Sequence, residues 1–99
     1  MALDVDNLEI VNNTDKSRFE VQLADNDMAF VDYSIAGKNI IFTHTEVPPN
    51  YEGMGIGTKL AVYVLEFARE NEYKVQPLCP FINAYVRRHP EYHAITWGY

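Results

Sequence analysis

In the first half of the chain, apolar residues recur at every second position over short stretches separated by polar, turn-forming residues. Phe19, Val21 and Leu23 alternate with Arg18, Glu20 and Gln22, and Ala29, Val31, Tyr33 and Ile35 repeat the pattern. This is the period of strands covered on one face and open on the other. With residues 8–11 and 40–47, the predicted strands are 8–11, 18–23, 28–35 and 40–47. Asn12-Asn13-Thr14-Asp15, Asp25-Asn26-Asp27 and Ala36-Gly37-Lys38-Asn39 join them. Short Asn and Asp side chains bond to nearby backbone and glycine lacks a Cβ, so each separator suits a tight turn. The result is an antiparallel meander.

Beyond Pro48-Pro49 the period changes. The prolines remove backbone donors, so the fourth strand must leave the sheet near Val47. From Ile56 onward, Leu60, Tyr63, Val64 and Phe67 recur at helical spacing while Lys59, Glu66, Arg69 and Glu70 fall largely elsewhere. This predicts an amphipathic helix ending near Asn71 whose apolar stripe covers the sheet. Residues 74–78 read as a short strand and 82–88 as a shorter helix stopped before Pro90; 94–99 are ambiguous. The succession predicts an α/β (α+β) fold in a single domain over residues 1–99.

With 99 residues, 47% of them hydrophobic, the chain suits one core and a shallow site. Fourteen acidic against eight basic residues give a net charge of −6, a field that repels a phosphate backbone, so no nucleic-acid partner is expected. The single cysteine, Cys79, cannot form an internal disulfide or a Cys-rich zinc site, and His89 and His93 lack a third ligand, so no metal is expected. A reducing, cytoplasmic location is expected, since the N-terminus does not read as a secretory signal and no apolar run is long enough for a membrane span. The expected state is a monomer or weak homodimer.

Gly53-Met54-Gly55-Ile56-Gly57-Thr58 joins a strand to a helix. A loop with so little side-chain bulk can turn its N–H groups, and the free amides of the helix start, toward an anion. The same glycines can also serve only a tight turn. A dinucleotide fingerprint is disfavoured because an antiparallel meander precedes the loop, and a P-loop is excluded because Lys59 follows Thr58 instead of preceding it.

HTEVPPNYEGMGIGTKL at 44–60 and PLCPFINAYVRRHPEY at 77–92 together make the chain similar to the Gcn5-related N-acetyltransferase superfamily, and within it to the small, stand-alone acetyltransferase-like domains. The resemblance runs from about Ile40 to Tyr92. It implies a compact acetyltransferase-like fold in which a splayed parallel strand pair, flanked by covering helices, receives acetyl-CoA. Val47 would stand where a family backbone N–H binds the thioester carbonyl, and Gly53, Met54, Gly55, Ile56, Gly57 and Thr58 would serve the pyrophosphate. It also raises Cys79 and His44 as a catalytic pair, since the small relatives share a His and a Cys around the thioester. Cys79 can be a nucleophile, a proton donor or a small buried hydrophobe, and His44, expected to share side-chain parity with Phe42 and Glu46, can face the cleft or be structural.

Asn83, Arg87 and Arg88 on the last helix can bind coenzyme phosphates, although a solvated charged face accounts for the arginines equally well. The tyrosine that larger relatives use as general acid is not securely matched by Tyr85; Arg88 occupies the corresponding region, and the acid stays open. Glu52 departs from the Arg or Gln usual before the glycines, and a carboxylate there repels a diphosphate unless it points to solvent or Lys59, Arg87 or Arg88 compensates. The function expected is transfer of an acetyl group from acetyl-CoA to a primary amine of a small molecule or protein. The alternatives are a catalytically weak acyl-CoA-binding regulatory module and an aromatic-rich structural protein-interaction domain.

Overall fold

A computed structural model describes residues 4–99 of the protein. The meander is present as β1 (Ile10–Asn13), β2 (Arg18–Gln22), β3 (Met28–Ala36) and β4 (Asn39–Glu46), each antiparallel to the next. Helix α1 (Ile56–Glu70) then crosses the sheet and delivers β5 (Lys74–Pro77) parallel to β4, and α2 (Pro80–Arg88) follows. The five strands lie in sequence order, β1-β2-β3-β4-β5. No described helix is long and apolar enough to cross a membrane.

Alternation along the strands decides which face is covered. Phe19 and Val21 on β2, Ala29, Val31 and Tyr33 on β3, and Ile40 and Phe42 on β4 are buried in one cluster with Leu60, Ala61, Val64, Leu65 and Ala68 of α1. Phe19 is central, with its ring 5.0 Å from Tyr33, 5.9 Å from Tyr63 and 5.0 Å from Phe67. A buried Phe or Leu contributes roughly 1.5–3 kcal/mol by burial, so this face holds the domain together. The other face carries Arg18, whose guanidinium lies 3.9 Å over the Phe30 ring and 2.8 Å from Asp32.

Some boundaries move. The first strand covers 10–13, not 8–11, because Asn12 and Asn13 join the ladder instead of turning. The Tyr33 hydroxyl donates to Asn12 Oδ1 (2.8 Å) and Asn13 Nδ2 donates to Glu20 (3.2 Å). Helix α2 starts at Pro80, not Ile82, since proline is well suited to a helix's first turn. The ambiguous C-terminal residues form a 3-10 stretch, Pro90–Ile95, and then Thr96 bridges Val75 in parallel on the outer edge of β5. Trp97 seals that end: its N–H donates to the Val75 carbonyl (2.9 Å) and its indole N–H to Asn39 Oδ1 (2.7 Å).

Candidate active site

The cleft originates where β4 outruns β5. Their parallel pairing covers only Asn39–Phe42 against Lys74–Pro77, and a bond from Cys79 N–H to the Phe42 carbonyl (2.8 Å) closes it. Pro77 has no N–H to continue the ladder and the chain turns into α2, while Thr45 and Glu46 stay paired with β3 alone. The strands part there, and a cleft of about 650 Å³ opens between the end of β4, the start of α1 and Phe81 of α2.

Backbone amides line its α1 side. Ile56, Gly57 and Thr58 are the first turn of the helix, and the first intrahelical bond comes only at Lys59 N–H to the Gly55 carbonyl (3.0 Å). No side chain caps this end. The preceding amides therefore have no intrahelical acceptor, and the helix dipole makes the site attractive to an anion. The glycines serve two needs. Gly53 and Gly55 adopt φ of +82° and +88°, the left-handed region that L side chains rarely adopt. At Gly57 a Cβ would stand 2.8 Å from the Phe81 ring, so its missing side chain is what lets α2 lay an aromatic wall over the start of α1.

Of the residues expected to bind the coenzyme, Val47, Gly53, Gly55, Ile56, Gly57 and Thr58 line this cleft. Met54, an exposed residue, is not among them. Asn83 and Arg87 bond to each other (3.1 Å) beside a separate depression with Leu78 and Pro80, and Arg88 is exposed outside the cleft. Glu52 is exposed yet stands in the cleft wall, with no ion-pair partner among the described residues. Lys59 is occupied elsewhere, its ammonium donating to the carbonyls of Val5 (3.0 Å) and Asp6 (3.3 Å). The free amides fit a diphosphate; the Glu52 carboxylate opposes one.

A register shift separates the pair expected to be catalytic. Tyr33 faces Phe42 and Asp32 faces His44, leaving Thr43 as an extra residue in β4. The parity read from the sequence is therefore corrected: His44 shares a face with Glu46 but not with Phe42. It is exposed on the open face of the sheet, 3.4 Å from Glu46 and beside Phe30. Thr45, opposite Val31, takes the helix-covered face, where its hydroxyl meets the Cys79 sulfur at 3.0 Å. Cys79 itself is 2% exposed and occupies the residue before the first turn of α2, where its side chain makes no capping hydrogen bond.

The sequence model of the GCN5-related N-acetyl-transferase family matches residues 18–95, which span β2 through the last 3-10 stretch. The chain belongs to this family. It is 34% identical over 85 residues to protein NATD1 of Gallus gallus, covering 84% of this chain and 77% of the relative. Identity to Homo sapiens NATD1 is also 34%, covering 84% of this chain and 75% of the relative. The solution structure of a GCN5-like putative N-acetyltransferase from Staphylococcus aureus superposes with a TM-score of 0.75 at 29% identity, covering 94% of this chain and 91% of that one. The family fold, an antiparallel meander followed by a splayed parallel pair with helices, is thus the fold of this chain.

Within this family member, Thr45, Glu46, Tyr51 and Phe81 also line the cleft, beyond the residues that the sequence motifs single out as site residues. Tyr51 follows the double proline, and its hydroxyl donates to the Ala24 carbonyl (3.1 Å). Burial, helped by Asp27 and Asp25, raises its phenol above the usual range. A bulky apolar residue two places after Cys79 was the available signal for Phe81; nothing in the sequence marked the register shift that turns Thr45 inward.

Proposed function

We propose that the protein is an N-acetyltransferase that moves an acetyl group from acetyl-CoA to a primary amine of a small molecule or a protein. The observation that carries this reading is the meeting, in one cleft, of the uncapped first turn of α1 with the parted ends of β4 and β5. The amides from Gly53 to Thr58 receive the diphosphate, and the pantetheine arm runs toward Val47 between the strands. The Val47 N–H polarises the thioester carbonyl. As the amine attacks, negative charge grows on that oxygen, so a fixed donor stabilises the transition state more than the ground state. Cys79 supplies a proton from beneath the cleft, and His44 with Glu46 takes one from an amine approaching over the open face of the sheet.

A second reading, an acyl-CoA-binding module with little turnover, is favoured by Glu52 in the wall of the anion site. One pair of measurements separates the readings. Acetyl-CoA titrated into labelled protein is expected to shift the amide resonances of Gly53 to Thr58, and a panel of amines is expected to release free coenzyme thiol. Shifts without thiol release select the binding module; unmoved resonances at saturating coenzyme sink both.

A further inference from the structure

The cleft wall presents a hydroxyl in front of the only thiol. Cys79 is 2% exposed and does not line the cleft, whereas Thr45 does, and Thr45 Oγ1 lies 3.0 Å from Cys79 Sγ. Thr43, the unpaired residue of β4, sets this arrangement by turning Thr45 toward the helices. Thr45 is thus the cleft-lining residue hydrogen-bonded to the thiol, and its hydroxyl offers a path for protons between Cys79 and a ligand in the cleft.

We propose that Thr45 is a proton relay joining the Cys79 thiol to the leaving sulfur of the coenzyme, an inference that rests on the acetyl-transfer reading above. A hydroxyl has one proton to give and lone pairs to receive another, which is what a relay requires. When the tetrahedral adduct collapses, the carbon–sulfur bond breaks and its electron pair goes to the coenzyme sulfur. Thr45 gives its hydroxyl proton to that sulfur and takes the Cys79 proton on its oxygen. The resulting thiolate sits at the start of α2, where helix amides favour negative charge. The proton shed by the newly acylated nitrogen goes to His44 and from there to water, and Cys79 regains its own from water through Thr45 once the products leave. The balance is one amine and one thioester in, one amide and one free thiol out, with Cys79 and Thr45 restored. No acetyl-cysteine is formed.

The test compares Thr45→Val, close in shape but lacking the hydroxyl, with Thr45→Ser, which keeps it. Thr45→Val is expected to lower kcat for amine-dependent thiol release on the order of 100-fold, with KM for acetyl-CoA within about twofold, and Thr45→Ser to recover most of the rate. Iodoacetamide alkylation of Cys79, read without any turnover, is expected to slow roughly tenfold in Thr45→Val, because the thiolate loses a hydrogen-bond donor. Full activity in Thr45→Val, equal losses in both variants, or an acetyl adduct on Cys79 after incubation with acetyl-CoA alone would overturn the relay. Absence of turnover in the unmodified protein is a different result: it removes the transfer reading itself before any variant is compared.

Discussion

Glu52 is the residue that sets this chain against its own anion site. It stands in the wall built by the α1 amides, and Lys59, one helical turn on, spends its ammonium on the carbonyls of Val5 and Asp6 instead. Because Glu52 is exposed, water and salt weaken its repulsion of a diphosphate without abolishing it. Glu52→Arg is expected to tighten acetyl-CoA binding by about 1 kcal/mol, roughly fivefold, in calorimetry at low salt, with the gain shrinking as salt is added. Affinity unchanged at low salt would place this carboxylate outside the ligand's reach. The departure at Glu52 was readable from the sequence alone; whether a cation answers it depended on where Lys59 lands, which only the fold decides.

At the scale of elements, what was legible followed from periodicity. Alternation over residues 18–23 and 28–35 and the helical stripe from Ile56 each depend on one element burying one face, and these places matched. The illegible part came from pairings between elements. The extra residue at Thr43 shows only when β4 is aligned with β3, and it reverses which of His44 and Thr45 meets the helices. The contact of Phe81 with Gly57 likewise joins positions from two helices. Helix propensity alone favours Gly57→Ala by up to about 1 kcal/mol, but the new methyl needs the Phe81 ring to swing away. The ring's far edge is the part that conflicts and Phe81 is partly exposed, so the variant is expected to fold with stability within about 1 kcal/mol of the parent. Acetyl-CoA affinity is expected to change, since a cleft wall has moved. In a Phe81→Ala background the same substitution should be stabilising, and a thermal-melt double-mutant cycle reads the difference. Equal effects in both backgrounds would show that the two residues do not interact.

For the whole molecule, closure depends on the returning C-terminus. The Tyr92 hydroxyl donates to Glu66 of α1 at 2.8 Å, and Arg69 reaches the Glu91 carbonyl at 2.8 Å. Burial, then the hydrogen bond and charge of Glu66, push the Tyr92 phenol up to about 12, while Arg69 opposes the rise. The folded chain therefore keeps this proton after the unfolded chain has lost its own near pH 10, so the contribution is complete below about pH 10 and lost as pH climbs toward about 12. Denaturant midpoints are expected to decline across that alkaline window, and Tyr92→Phe, less stable at neutral pH through loss of the bond to Glu66, is expected to decline less steeply. Parallel declines would rule out Tyr92 as the source.

Trp97 clamps the last residues to β4 and β5, and it is the only tryptophan in the chain. It is 56% exposed and does not line the cleft. Its emission is therefore a native optical gauge for the terminal clasp: detachment of the tail registers as a spectral change at one fluorophore, separately from occupancy of the cleft.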